Sequence, residues 1–304
     1  METQQRSNKW IAFALAATGV VMFSAKAIFV KKAYEFEIDT VSLLLIRMTI
    51  ALPVYIVIAF FTTWRKKNDT VVRKDYVWLV LLGFVGYYMA SFLDFHGLQY
   101  ITASLERLIL FVYPTLVLLI SAIFLKKAVT TPQKLAIAIT YVGVLLAFYN
   151  YGDGENTNVT LGAGLVFASA LTYAFFMVGS GNLIPKFGSI RFTSYAMIVS
   201  CMAVILHFVI KGEGGILGYP RKVYEIGAAM AFVSTIVPSF MIGEAIRRIG
   251  ASNVAIIGSL GPISTIIMAY IFLGEQISAF QFLGTLIVIS GVSLIAVHKK
   301  KVAA

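Results

Sequence analysis

The chain has 304 residues, of which 59% are hydrophobic and 13% charged, with a formal net charge of +11 and a mean hydropathy of +0.87. Soluble domains carry roughly 25% charged residues, so this composition excludes an ordinary water-soluble fold and points to a polytopic membrane protein. The basic residues are spread over short connections and form no recognition motif or extended basic face, which argues against a nucleic-acid partner.

Ten apolar runs follow one another, beginning near Trp10, Thr40, Tyr76, Ile101, Gln133, Thr160, Arg191, Tyr224, Ser252 and Ser278. About 20 apolar residues suffice for a helix to cross the hydrocarbon, and the alternating pattern of a membrane β-barrel is absent. The expected fold class is all-α, a polytopic membrane protein of ten transmembrane helices. The first run follows Arg6 and Lys9 and contains Ala25-Lys26-Ala27, which resembles a signal-peptide cleavage site. Its length, and the ten-helix count that it completes, favour an uncleaved span. With the N-terminus inside, 17 of the 25 Lys and Arg residues fall on the inner side, five (Lys31, Lys32, Lys211, Arg221 and Lys222) fall outside, and Lys26, Arg47 and Arg107 stay within spans. That imbalance predicts cytoplasmic N- and C-termini. Cys201 is the single cysteine, so no intrachain disulfide forms, and with His96, His207 and His298 dispersed along the chain neither a metal site nor a cofactor is expected.

The two halves repeat. At an ungapped offset of 148, Ala103-Ser104 aligns with Ala251-Ser252, Pro114 with Pro262, Ile123-Phe124-Leu125 with Ile271-Phe272-Leu273, Gln133 with Gln281 and Gly143-Val144 with Gly291-Val292. The same offset pairs Phe84, Val85, Ser91 and Phe92 with Phe232, Val233, Ser239 and Phe240. Apolar composition alone does not place Pro, Gly, Ala-Ser and Gln in one register. The expected units are residues 1–150 and 151–304, each with five spans; an odd number of spans makes the second copy enter the membrane in the opposite sense, an inverted repeat. Pro114 and Pro262 each remove a helical hydrogen bond, and as equivalent kinks they are candidates for mirrored gate elements or for static packing bends.

Charge inside the spans is the first candidate for function. Glu106 and Arg107 interrupt the fourth run near its start, and Lys26, Arg47, Asp94 and His96 fall at similar outer depth. Charged side chains at bilayer depth face a protein interior or a wet cavity. Adjacent helical residues point about 100° apart, so Glu106 and Arg107 need different partners: Arg47 or Lys26 for Glu106, and Asp94 for Arg107. In the second copy Glu244 takes the place of His96, whereas Glu106 and Arg107 map onto Val254 and Ala255. The outer gate is therefore expected to be held by ion pairs and the inner one to be more apolar. The competing reading of the charges is an ion-pair layer that only holds helices together, with Lys26, Asp94 and Glu244 snorkelling to interfacial water.

Gly274-Glu275 after the ninth run, Gly284 and Gly291 in the tenth, Phe23-Ser24-Ala25-Lys26-Ala27-Ile28, Arg47, Asp94-Phe95, and Ser104-Leu105-Glu106-Arg107-Leu108-Ile109-Leu110 leading to Tyr113-Pro114-Thr115 together resemble a bacterial branch of the EamA family in the drug/metabolite transporter superfamily. The resemblance covers essentially the whole chain. One departure is Lys126-Lys127 where the second copy has Gly274-Glu275. The resemblance implies a non-enzymatic transporter of the inner membrane, commonly an exporter of small metabolites, with a central cavity lined by helices one, three, four, six, eight and nine. Tyr87, Tyr88, Phe92, Tyr113, Tyr173, Phe176 and Ser259 are the expected cavity lining. Lys26, Arg47, Asp94, His96, Glu106, Arg107 and Glu244 are the expected pathway or gate residues. The partners expected are the lipid bilayer and a small-molecule substrate such as an amino-acid-like solute, with Glu106 or Asp94 able to carry a coupling proton. A lipid flippase and a non-transporting membrane scaffold are the competing readings.

Overall fold

A computed structural model describes residues 2–64, 71–126, 128–149, 158–212, 215–249, 254, 257–258 and 260–302. All regular structure among them is helical, as lipid requires of a chain whose backbone must satisfy its own hydrogen bonds. The elements are α1 (Glu2–Ser24), α2 (Lys26–Tyr34), α3 (Thr40–Trp64), α4 (Arg73–Gly83), a π-helical turn π1 (Phe84–Met89), α5 (Ala90–Gly97), α6 (Ala103–Leu110), α7 (Tyr113–Phe124), α8 (Thr131–Phe148), α9 (Val159–Phe187) and α10 (Ser189–Lys211). After a short 3₁₀ turn come α11 (Arg221–Ala231), a second π turn π2 (Phe232–Ile236), α12 (Val237–Ile249), α13 (Leu260–Leu273) and α14 (Ala279–Val302). Among the described residues seven helical segments are long and apolar enough to cross a membrane: Trp10–Tyr34, Thr40–Trp64, Arg73–Gly97, Ala103–Phe124, Val159–Phe187, Ser189–Lys211 and Arg221–Ala245. Three shorter apolar helices, Thr131–Ala147, Leu260–Leu273 and Ala279–Leu294, accompany them.

Local features recur at the offset read from the sequence. The two π turns start at Phe84 and Phe232. The Thr130 amide donates to Gln133 Oε1 at 2.9 Å to open α8, and the Ser278 amide donates to Gln281 Oε1 at 3.1 Å to open α14, in both cases a reach-back of the capping-box kind. Lys126 and Gly274, also equivalent, both lie in the left-handed region, at φ 52° and 67°.

Packing follows the same rule. α3 lies against α10 and α8 against α14; α5 and α7 pack on α9 as α12 and α13 pack on α1; α4 meets α10 as α11 meets α3. Exchanging the halves returns the same set of contacts. The α8–α14 contact depends on small residues: a Cβ on Gly143 would fall 2.8 Å from the Gly284 carbonyl oxygen, and one on Gly284 would fall 2.5 Å from that of Gly143.

Two spans are broken near their charges. The first is interrupted at Ala25, between α1 and α2, and the fourth at Phe111 and Val112, before Tyr113-Pro114 opens α7. Pro114 supplies no amide to the turn that precedes it, so the chain bends there.

Candidate functional site

Between the broken spans lies a cavity of about 280 Å³. Its walls come from both halves: Val20, Phe23 and Lys26; Arg47 and Met48 of α3; Gly86, Tyr87, Ser91 and Asp94 along π1 and α5; Arg107, Phe111, Tyr113, Pro114 and Val117; Ser169, Tyr173 and Met177 of α9; Met197; and Ser234, Thr235 and Ser239 along π2 and α12. The wall thus includes α3 and α10, beyond the helices implied by family resemblance. Five pairs of repeat-equivalent positions face it: Gly86 with Ser234, Tyr87 with Thr235, Ser91 with Ser239, Asp94 with Ile242, and Leu110 with Gly258. Both serines are tied to α3. Arg47 Nη2 donates to Ser91 Oγ at 3.1 Å, and the Tyr55 hydroxyl lies 3.1 Å from Ser239 Oγ.

The charged layer has a definite bookkeeping. Lys26 Nζ lies 2.5 Å from Asp94 Oδ2 and 3.5 Å from Glu106 Oε1, so one ammonium serves two carboxylates. Glu106 is fully buried, and neither of its oxygens has a hydrogen-bond donor among the described residues. Of the partners expected for Glu106, Lys26 is the one that meets it. Asp94 pairs with Lys26 rather than with Arg107, whose guanidinium is held by Ser24 at the break in the first span. There its Nη2 donates to Ser24 Oγ at 3.2 Å. Ser24 in turn donates to the Val20 carbonyl at 2.8 Å, or to that of Gly261 at 3.2 Å. A Cβ on Gly261 would sit 2.5 Å from Arg107 Nη2, so the missing side chain of α13 is what admits the guanidinium. The Arg47 guanidinium carbon stands 4.7 Å from the centroid of the Phe95 ring, a cation–π contact in place of an ion pair.

Other expected residues take different places. Phe176 stands behind the wall, 4.7 Å from Tyr87 and 5.9 Å from Tyr173 between ring centroids. Tyr88, Phe92 and His96 occupy another face of the same span, where the Tyr88 hydroxyl meets His207 Nδ1 at 2.8 Å and Phe92 stacks on His96. Glu244 pairs with Arg248 at 2.6 Å on α12. Pro262 is buried in α13, and Ser259 lies outside the described residues. Among the described residues no group of His, Cys, Asp and Glu side chains is arranged to hold a metal ion.

Glu275 has a position that its sequence context does not reveal. Its Oε1 accepts from the Ala103 amide at 2.7 Å, and its Oε2 accepts from the Ser104 amide at 3.1 Å and the Ser104 hydroxyl at 2.6 Å. A carboxylate at a helix N-terminus is favoured by the free amides and the helix dipole. This one crosses from the second half of the chain to α6 of the first, next to Glu106 and Arg107.

Apolar spans in number, packed around a central cavity that carries buried charge, define a multi-pass membrane protein. The chain belongs to the EamA-like transporter family, whose model matches it twice, over residues 10–149 and 160–297. It is 31% identical over 271 residues to the uncharacterized transporter YcbK of Bacillus subtilis, covering 88% of this chain and 86% of that one. It is 26% identical to the uncharacterized transporter YyaM of the same organism, covering 81% of each. A solved crystal structure matches 96% of the chain at a TM-score of 0.63 and 14% identity, a likeness of fold.

Proposed function

We propose that the protein is a secondary transporter, a carrier rather than a catalyst, that exports a small metabolite or amino-acid-like solute by alternating access. It would sit in the bacterial inner (cytoplasmic) membrane with both termini in the cytoplasm. In this reading the seven long and three short apolar helices form ten spans, grouped as residues 1–150 and 151–304 in inverted orientation. The observation that carries it is the cavity itself: equivalent positions of the two copies face one space, as expected where two inverted copies exchange conformations around a shared site. The exchange symmetry of the helix contacts and the repeated π turns support the same reading.

The outer gate joins Lys26, Asp94 and Glu106 to the clasp of Glu275 on α6. Glu106 is the candidate carrier of a coupling proton. An ionised carboxylate buried without hydrogen bonds is costly, and the charges packed around it are Lys26, Asp94 and Arg107. Transport indifferent to a pH gradient would remove that role and leave the gate.

The test is side-specific labelling in oriented vesicles. Single cysteines at Ser91 and Ser239, in a Cys201→Ala background, should react with an impermeant thiol reagent from both sides, each access closing as the other opens. Reaction from one side only under all conditions contradicts alternating access and favours the scaffold reading.

A further inference from the structure

The three cations of the layer are not equivalent. Lys26 is engaged by both carboxylates. Among the described residues Arg47 and Arg107 have no carboxylate within ion-pair distance, and the hydrogen-bond acceptors they do have are hydroxyls, Ser91 for Arg47 and Ser24 for Arg107. The Nε of each is buried with no partner, and Arg47 is only 3% exposed. A buried donor without an acceptor costs free energy that a bound acceptor returns. With Asp94 and Glu106 ionised, and Glu275 held by the α6 amides that it caps, Lys26, Arg47 and Arg107 leave one positive charge uncompensated, and both guanidiniums border the same cavity.

We infer that the cavity binds a small monocarboxylate whose carboxylate lies against Arg47 and Arg107 and whose apolar body rests on the aromatic and methionine wall. The inference rests on the transporter reading and gives that transporter's cargo a chemical class. A guanidinium offers paired N–H donors that match a carboxylate, and one monoanion neutralises the excess charge. A second anionic group on the ligand would overshoot it. A lone ammonium is disfavoured because it would add to the excess positive charge and approach Lys26, which already sits on Asp94. Phe23, Tyr87, Phe111, Tyr113, Tyr173 and Met48 provide an apolar surface, and a volume of about 280 Å³ restricts the ligand to a small molecule.

The experiment is a thermal-stability titration of the purified full chain with acetate, benzoate and 3-phenylpropionate, each beside its amide and its amine of matched shape. A ligand of the native state raises the melting temperature in a saturable way. Benzoate or phenylpropionate should stabilise the protein while the matched amide and amine do not. Arg107→Gln and Arg47→Gln should each raise the half-saturating concentration by about tenfold or more, with Arg107→Lys keeping part of the response. Should a Gln variant fail to fold, the Lys variant at the same position serves, with a smaller loss expected. Equal stabilisation by amide or amine, an unchanged carboxylate titration in both arginine variants, or no shift with any member of the series overturns the inference. Thiol labelling from the two sides needs no ligand. Alternating access without carboxylate binding therefore rejects only the cargo class, and carboxylate binding without alternating access rejects only transport.

Discussion

Lys26 holds two carboxylates, and this fixes how the layer should respond to substitution. Lys26→Met strands Asp94 and Glu106 together and should cost about 3–5 kcal/mol, the range for breaking a buried pair. Asp94→Asn leaves Glu106 to face the ammonium and should cost distinctly less. Melting temperatures of the two purified variants check this order, and an equal or reversed order would mean that Asp94 is the only anion Lys26 needs. Away from the spans, Asp39 accepts from the Val41 and Ser42 amides and from Lys211 and Tyr219. Burial opposes its ionisation, but the hydrogen bonds from Ser42 and the nearby Lys211 outweigh it, holding the carboxyl below its ordinary value of 3.8. A depressed carboxyl stabilises the fold above its unfolded pKa, and the contribution disappears as pH falls through the folded value. Melting temperature should therefore fall between pH 5 and pH 3 (window ~1 unit either side of the ordinary value), and Asp39→Asn should reduce that slope.

At the scale of elements, Lys126 occupies the left-handed conformation that its counterpart Gly274 adopts without strain. Left-handed backbone costs an ordinary residue roughly 1–2 kcal/mol, so Lys126→Gly should stabilise by about 1 kcal/mol, read as a rise in melting temperature. A fall would mean that the lysine side chain contributes more than its backbone costs. Gly143→Leu should have the opposite effect, because the α8–α14 contact has no room for a side chain. Loss of folded protein in size-exclusion chromatography is the expected result.

Much of this was legible in the sequence because the repeat marks it. The offset aligned Ser91 with Ser239 and Gln133 with Gln281, and the structure gives each pair one role, the serines on the cavity wall and the glutamines at helix starts, which the alignment alone did not assign. Lys26, Arg47, Asp94 and Arg107, grouped from span boundaries, line one cavity. Which face each residue takes could not be read that way. Tyr88, Phe92 and His96 share a span with Tyr87 and Asp94, yet the helical rotation of about 100° per residue puts them on another face, and a hydrophobic pattern uniform around the helix does not show which face meets the cavity. The Glu275 clasp was hidden for a different reason: it joins residues 171 and 172 positions apart, and two of its three partners are backbone amides, which carry no signature in the sequence.

For the whole molecule, the central claim is that one cavity is served in turn by two gates, the outer one including Glu275 on α6. The most direct measurement is to place cysteines at Ser104 and Glu275, join them with a short bifunctional reagent, and label a third cysteine at Ser91 from each side of the membrane. The account predicts that the joined protein reacts from the cytoplasmic side alone, and that a cleavable linker restores reaction from outside once it is cut. Reaction from outside while the clasp stays joined would contradict it.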